Sequence, residues 1–138
     1  MGGNVVRVGD TGAGQVAKVC NNMIAAAEVS VLAEALVFAE KAGISQRNLV
    51  EAIRGGAAQT WALDNRAEGM IEGEFDPGFF ASYMYKDLRI ATDDGEEYGA
   101  PLLISSTNHE LFKSLDEQGR GDLDFSAVMT LYEDLAGL

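Results

Sequence analysis

The feature that most constrains the fold is the stretch from Gln15 to Ala42, about 28 residues without a Pro or Gly. Good helix formers dominate it, and Gly43 follows directly, as is typical of a helix end. Many of its residues are alanines, which let neighbouring helices approach closely. The pattern predicts one long helix through the centre of a bundle. Its apolar or small residues recur at spacings of three and four: Val16, Cys20, Met23, Ala27, Val31, Ala35 and Phe38.

Glycine and proline divide the rest of the chain into shorter segments. A brief extended segment, Val5 to Val8, leads into a glycine turn. The predicted further helices are 46–54, 60–71, 80–98, 101–118 and a last one capped by Asp124 or Ser126 and ending near Leu135. With no internal repeat, residues 1–138 are predicted to be a single all-α domain, a bundle of about six helices around the long central one.

Composition narrows the class of protein. The 138 residues are 47% apolar, enough for one core, and 22 acidic against 10 basic residues leave a net charge of −12. This charge repels phosphate backbones and anionic lipids, so no nucleic-acid partner is expected. Because no continuous apolar run approaches the roughly 20 residues of a spanning helix, no membrane partner is expected either. The start of the chain lacks the pattern of a secretory signal, and we expect a cytoplasmic protein.

Cys20 and His109 are each the single residue of their type. One cysteine cannot form an intramolecular disulfide, which agrees with a reducing compartment. A catalytic thiol needs a basic partner, and nothing in the sequence marks His109 as one. We interpret Cys20 as a small core residue and His109 as a surface or hydrogen-bonded histidine, and we predict no metal site.

The segment from Gly12 to Ala17 matches the dinucleotide-binding pattern G-x-G-x-x-G/A after an extended segment. A true fingerprint belongs to a unit of about 30 residues whose helix is followed by a second strand. Here the predicted helix continues to Ala42. We therefore interpret these glycines as a turn that permits a sharp entry into the helix.

Lys18 and Asn22 are four residues apart, which places both on one face of the long helix. The helix dipole and partial burial would both disfavour the charged amine of Lys18, which suits a group that donates or accepts a proton. The carboxamide of Asn22 could bind a carboxylate or hydroxyl. Spacing alone favours the alternative, a lysine whose stem lies along the surface beside a surface asparagine.

Lys86 and Asp87 follow an aromatic stretch, from Phe79 to Tyr85, that is otherwise uncharged. Lys86 could meet a phosphate or amide oxygen of a ligand, with Asp87 orienting it. The alternative is an ordinary exposed pair on a helix. The aromatic residues themselves, Trp61 included, are interpreted as core or interface packing.

Several motifs occur in the order of one family. They are Gly12-x-Gly14-x-x-x-Lys18-x-x-Asn21-Asn22, Phe75-x-Pro77-x-Phe79, Lys86-Asp87-Leu88, Gly99-x-Pro101 and Gly121-Asp122-x-Asp124-Phe125-Ser126-Ala127. From about Val5 to Leu135 the chain resembles the C-terminal helical domain of the β-hydroxyacid dehydrogenases, the group of 3-hydroxyisobutyrate dehydrogenase and tartronate semialdehyde reductase. That domain has the fold of the C-terminal domain of the 6-phosphogluconate dehydrogenase superfamily.

The resemblance implies a role for each matching residue. Lys18 matches the catalytic lysine, the general acid/base toward the substrate hydroxyl or carbonyl, and Asn22 matches its substrate-orienting partner. Lys86 matches a lysine that reaches the nicotinamide cofactor, Asp87 its neighbour, and Phe79 an aromatic residue beside the cofactor. The implied substrate is a small β-hydroxyacid, the implied cofactor NAD or NADP, and the implied assembly a homodimer or a higher homo-oligomer.

Family members carry an N-terminal nucleotide-binding domain that binds most of the cofactor, and nothing in this sequence corresponds to it. We therefore expect the chain to be the substrate and dimerisation domain of an oxidoreductase, inactive by itself. The alternative is a non-catalytic helical dimerisation or interaction module. The sequence indicates neither which β-hydroxyacid is the substrate nor whether the cofactor is NAD or NADP. The contacts that would discriminate between them are expected in the nucleotide-binding domain.

Overall fold

The structure, a computed structural model, describes Gly3 and residues 5–138. Within these residues there are seven α-helices and no β-strand, which confirms the predicted all-α class. The helices are α1 (Ala13–Lys41), α2 (Gln46–Ile53), α3 (Trp61–Asn65), α4 (Ala67–Glu72), α5 (Ala81–Tyr98), α6 (Leu103–Leu115) and α7 (Val128–Ala136). A π turn, Asp116–Arg120, follows α6, and a 3₁₀ turn, Phe125–Ala127, precedes α7.

The predicted long helix is present as α1, and it contacts each of the other six helices. Its N-cap is Gly12, whose φ of 93° lies in the left-handed region that glycine enters without strain. The glycine turn thus provides the sharp helix entry that the sequence predicts. The preceding residues Val5 to Val8 are exposed and pair with no strand in the described chain.

The buried face of α1 differs from the predicted one. Val16, Cys20, Val31 and Phe38 belong to the predicted apolar stripe and are exposed. The face that packs into the core comprises Ala26, Val29, Ser30, Leu32, Ala33, Leu36, Val37 and Ala39. The spacing did not identify this face because α1 is apolar or small on nearly every side, so that periodicity carries little information about orientation.

By length and composition alone, α1 would also be apolar enough to cross a membrane. Its most apolar 18-residue window has a mean hydropathy of 1.6, although no continuous apolar run in it approaches the roughly 20 residues of a spanning segment. In the fold, 44% of this window is buried. A central helix surrounded by partner helices has the same composition as a spanning helix, because both must present apolar side chains in most directions.

Two of the helix boundaries that differ from prediction have a cause in the tertiary contacts. The helix expected over 60–71 is broken at Arg66, whose φ of −129° separates α3 from α4. The side chain of Arg66 bonds to buried Asp124, a tertiary contact that no local pattern indicates. The helix expected from Pro101 begins instead at Leu103, because Leu102 adopts a non-helical φ of −106° and packs its side chain over Gly95 of α5.

Candidate active site

A cleft of about 400 Å³ opens beside the N-terminal half of α1. Its other walls come from α3 with the adjoining Arg66, from α5 with the loop before it, and from the 3₁₀ turn, so four separate parts of the sequence meet there. The residues that line it are Asn21, Asn22, Ile24, Ala25, Glu28, Trp61, Arg66, Gly78, Phe79, Met84 and Phe125. Aromatic rings dominate one wall and carboxamides another, a combination typical of small-molecule sites.

The aromatic wall is assembled around the side chain of Arg66. Its guanidinium carbon lies 4.7 Å from the centre of the Trp61 ring and 5.5 Å from that of Phe125. Phe79 meets Phe125 edge-on, with 5.9 Å between ring centroids. Cation–π and edge-to-face contacts of this kind restrain the orientations of the rings. The wall therefore presents fixed aromatic surfaces to the cleft.

Asp124 holds this wall in place from behind. Its side chain is 3% exposed, and its Oδ1 accepts from Arg66 Nε at 2.9 Å and from the backbone N and Oγ of Ser126 at 3.0 and 2.7 Å. Its Oδ2 accepts from the backbone N–H groups of Gly78 and Phe79 at 2.9 and 3.1 Å. One carboxylate thus joins the start of α4, the loop before α5 and the 3₁₀ turn.

The protonation of Asp124 follows from these contacts. Burial by itself would raise the pKa of the Asp124 carboxyl, but the hydrogen bonds from Ser126, Phe79 and Gly78 together hold that pKa below its usual range. The group is therefore ionised at neutral pH and pairs with the guanidinium of Arg66.

Two of the five predicted site residues, Asn22 and Phe79, line the cleft. The side-chain amide of Asn22 donates to Oδ2 of Asp87 at 2.6 Å, a contact between α1 and α5. Its Oδ1 accepts a longer bond, 3.3 Å, from the amide of Asn21. The structure therefore brings Asn22 and Asp87 together, although the sequence analysis assigned them to substrate and cofactor respectively.

Lys18 and Lys86 are both exposed and lie outside the lining of the cleft. Lys18 is one helical turn before Asn22, and Lys86 directly precedes Asp87, so both flank the Asn22–Asp87 contact. The expectation that Lys18 is partly buried is wrong for this chain. The first turns of α1 extend beyond the helices that would cover them.

The interpretations of Cys20 and His109 also need correction. Cys20 is exposed because it lies on the outer side of α1. His109 is only 19% exposed, stacks at 5.4 Å on Tyr85 and has Nδ1 3.3 Å from a carboxylate oxygen of Glu110. Its Nε2 is buried and meets no partner among the described residues, so the ring is packed rather than fully hydrogen-bonded.

Neither Arg66 nor the wall-forming role of Asp124 was predicted from the sequence, which indicated Asp124 only as a helix cap. The two residues are 58 positions apart, and neither stands in a local pattern that indicates a pair. Asp124 caps the 3₁₀ turn that precedes α7 rather than α7 itself, which begins after Ala127 without a side-chain cap, so the predicted cap lies one turn before the last helix. The role of Asp124 in the cleft depends on contacts that form only in the folded chain.

Among the residues that the structure describes, no cluster of His, Cys, Asp and Glu could hold a metal ion.

A protein-family model described as "NAD-binding of NADP-dependent 3-hydroxyisobutyrate dehydrogenase" matches residues 12–132. The chain belongs to this family. The match covers the whole cleft, from the first turn of α1 to the middle of α7. The sequence-based identification of a β-hydroxyacid dehydrogenase relative is thereby confirmed at the level of the family.

Curated relatives and solved structures agree with this membership. The chain is 35% identical to the 2-hydroxy-3-oxopropionate reductase of Escherichia coli over 99% of its own length and 47% of the relative's. It is 32% identical to the 2-(hydroxymethyl)glutarate dehydrogenase of Eubacterium barkeri, over 100% of its own length and 46% of the relative's. The structure of Mycobacterium tuberculosis 3-hydroxyisobutyrate dehydrogenase with L-serine superposes with a TM-score of 0.86 at 35% identity. The superposition covers 94% of this chain and 46% of that one. The chain thus spans about half the length of the relatives it matches.

Proposed function

We propose that this chain is the C-terminal helical domain of an oxidoreductase that transfers a hydride between a nicotinamide cofactor and a small β-hydroxyacid. The observation that carries the proposal is that Asn22, hydrogen-bonded to Asp87, and Phe79 line one cleft in a chain of this family. We also propose that residues 1–138 form a single domain, which is inactive without a nucleotide-binding half. We further propose that the protein is cytoplasmic and binds neither nucleic acid nor membranes.

The residues of the cleft fit the nicotinamide end of such a cofactor. The ring of Phe79 and the neighbouring aromatic wall offer flat apolar surfaces to the cofactor. Lys86 does not line the cleft, but its exposed amine is available to an amide or phosphate oxygen. When bound, the cofactor supplies or removes the hydride. The described residues form no βαβ unit, so the remainder of the cofactor requires protein outside them.

The protein's own residues handle the proton and the orientation of the substrate. The amine of Lys18 donates a proton to the substrate oxygen during reduction and accepts it during oxidation. The carboxamide of Asn22, held by Asp87, presents fixed hydrogen-bonding groups to the substrate. The aromatic wall excludes water from one side of the cleft, which strengthens these polar contacts.

The test uses the full-length protein, in which the proposal places a nucleotide-binding half beside this domain. Lys18→Ala should lower kcat by about 10² to 10⁴-fold, the usual size of a general acid/base contribution, with little change in cofactor affinity. Asn22→Ala should reduce kcat/KM for the substrate more mildly. Lys86→Ala should instead raise the apparent KM for the cofactor.

Lys41→Ala is the matched control, because Lys41 is an exposed lysine at the opposite end of the same helix. It should leave kcat unchanged. A wild-type kcat in Lys18→Ala would refute the catalytic assignment. A full-length wild-type protein that oxidises no short β-hydroxyacid with either NAD or NADP would favour the non-catalytic module instead.

A further inference from the structure

The cleft contains a carboxylate that only partly uses its hydrogen-bonding capacity. Glu28 of α1 is partly buried, and its Oε2 accepts a hydrogen bond from the backbone N–H of Ala62 at 3.2 Å. This N–H belongs to the first turn of α3, where it has no partner within the helix. The other oxygen, Oε1, accepts no hydrogen bond from any residue that the structure describes. One oxygen of Glu28 is therefore fixed by the fold, and the other is available to a ligand.

The charge of Glu28 has no counterpart in the cleft. Among the described residues that line the cleft, the other charged one is Arg66. Its Nε donates to Asp124 and its Nη1 to the backbone oxygen of Asn65, and its guanidinium lies over aromatic rings. The charges of Arg66 and Asp124 thus offset each other, and the carboxylate of Glu28 sets the sign of the potential at this end of the cleft.

Asn21, Ala25 and Glu28 form one row along the cleft. Residues at i, i+4 and i+7 share a helix face, and seven residues rise about 10.5 Å. The small side chain of Ala25 leaves space in the middle of the row. The carboxamides of Asn21 and Asn22 lie at one end and the carboxylate of Glu28 lies at the other. A small ligand along this row therefore meets neutral polar groups at one end and a negative charge at the other.

We propose that Glu28 determines which β-hydroxyacids the cleft accepts, an inference that rests on the proposed function. The reacting hydroxyl lies at Lys18 and Asn22, and the carboxylate common to all these acids faces away from Glu28 because the two charges repel. The remaining substituent of C2 then extends along the row toward Glu28. A hydrogen-bond donor there, a hydroxyl or an ammonium, bonds to Oε1. A second carboxylate there meets a like charge and is rejected.

Isothermal titration calorimetry of the full-length protein tests this role with two ligands that differ only at C2. Glycerate carries a hydroxyl on C2, and 2-(hydroxymethyl)malonate carries a second carboxylate. Saturating NADH or NADPH is present, and since a reduced cofactor cannot accept a hydride, binding is measured without turnover. Wild-type protein should bind racemic glycerate at least about 10-fold more tightly than 2-(hydroxymethyl)malonate, because of the like-charge repulsion.

Glu28→Gln should remove most of this preference by tightening the binding of 2-(hydroxymethyl)malonate. The new side chain is neutral and keeps an oxygen for the N–H of Ala62. The matched control is Glu40→Gln, the same change at an exposed position of α1 outside the cleft, and it should keep the preference of the wild type. Far-UV circular dichroism checks that each variant is folded, and Glu28→Ala replaces Glu28→Gln if the latter unfolds.

A wild-type protein that binds the two ligands equally, prefers 2-(hydroxymethyl)malonate or binds neither overturns the proposal. So does a preference that persists in Glu28→Gln, or one that Glu40→Gln removes equally well, since the selectivity then arises from another group or from net charge. Turnover with NAD or NADP is measured separately. A protein that shows the expected order of binding but oxidises no β-hydroxyacid contradicts the proposed function and leaves the selectivity of Glu28 standing.

Discussion

Asp124 joins three separate parts of the cleft wall through one buried carboxylate. Asp124→Asn removes the charge that pairs with Arg66 and leaves a partly buried guanidinium without its partner. We expect a loss of about 2 to 3 kcal/mol in the free energy of unfolding, somewhat less than for a fully buried pair because Arg66 retains some exposure. Urea unfolding followed by circular dichroism measures it. Asp122→Asn, an exposed change two residues earlier, should cost almost nothing.

The same substitution should change the response to acid. The pKa of Asp124 is lowered in the fold from an ordinary value of 3.8, so its contribution to stability is present above that value. The contribution is lost as the pH falls through the lowered native value. The stability of wild-type protein should therefore fall more steeply below pH 3.8 than that of Asp124→Asn. If the stabilities of the two proteins fell equally steeply with decreasing pH, this account of the Asp124 carboxylate would be contradicted.

The contact between Asn22 and Asp87 is the second residue-scale feature to test. Its 2.6 Å hydrogen bond joins α1 to α5, and each partner loses it when the other is removed. The stabilities of Asn22→Ala, Asp87→Ala and the double variant should therefore be non-additive, with a coupling energy of about 0.5 to 2 kcal/mol. Asn22→Ala combined with Asp93→Ala, an exposed aspartate farther along α5, provides the additive control.

For the helices, the sequence predicted which segments are helical better than it predicted which face a helix buries or where a helix is interrupted. Gly43 and Gly99 marked the ends of α1 and α5 because glycine there adopts a positive φ, of 81° and 69°. Ser45 and Thr60 each accept a capping bond at the starts of α2 and α3. The break at Arg66 has no such local cause, since its pairing with Asp124 depends on the packed fold.

Helix α7 carries a carboxylate that its environment disfavours. Burial, followed by repulsion from Glu40 and Asp134, raises the pKa of Glu133 above its ordinary 4.5. The fold therefore favours the protonated form of Glu133. The stability that this form contributes is fully present below pH 4.5 and is lost as the pH rises through the raised pKa of the folded protein. Glu133→Gln should stabilise the protein at pH 7 by up to about 0.5 kcal/mol. The gain should vanish near pH 4.

Thermal unfolding at both pH values measures this effect of Glu133→Gln. Glu117→Gln, which removes an exposed carboxylate from the π turn, controls for the general benefit of reducing the negative charge. A larger gain for Glu117→Gln than for Glu133→Gln would show that net charge, rather than local burial, dominates.

For the whole molecule, the dominant electrostatic fact is the net charge of −12. Exposed ion pairs such as Arg47 with Glu68 and Glu72 are few beside this excess and contribute little each. Raising the salt concentration from about 0.02 to 0.5 M screens the repulsion, because the Debye length falls well below 10 Å. We expect a higher Tm in both NaCl and KCl. A Tm that falls with salt would show that the ion pairs outweigh the repulsion.

By itself the sequence determined the all-α class, the long helix, most helix ends and a family resemblance that the family match confirms. These features depend on local chemistry: helix propensity, glycine conformations and spaced motifs. The tertiary structure alone decided which face of α1 is buried, that Arg66 pairs with Asp124, and that Asn22 bonds to Asp87. A nearly uniformly apolar helix has no preferred face until its partners pack around it, and contacts between residues 58 and 65 positions apart leave no local pattern.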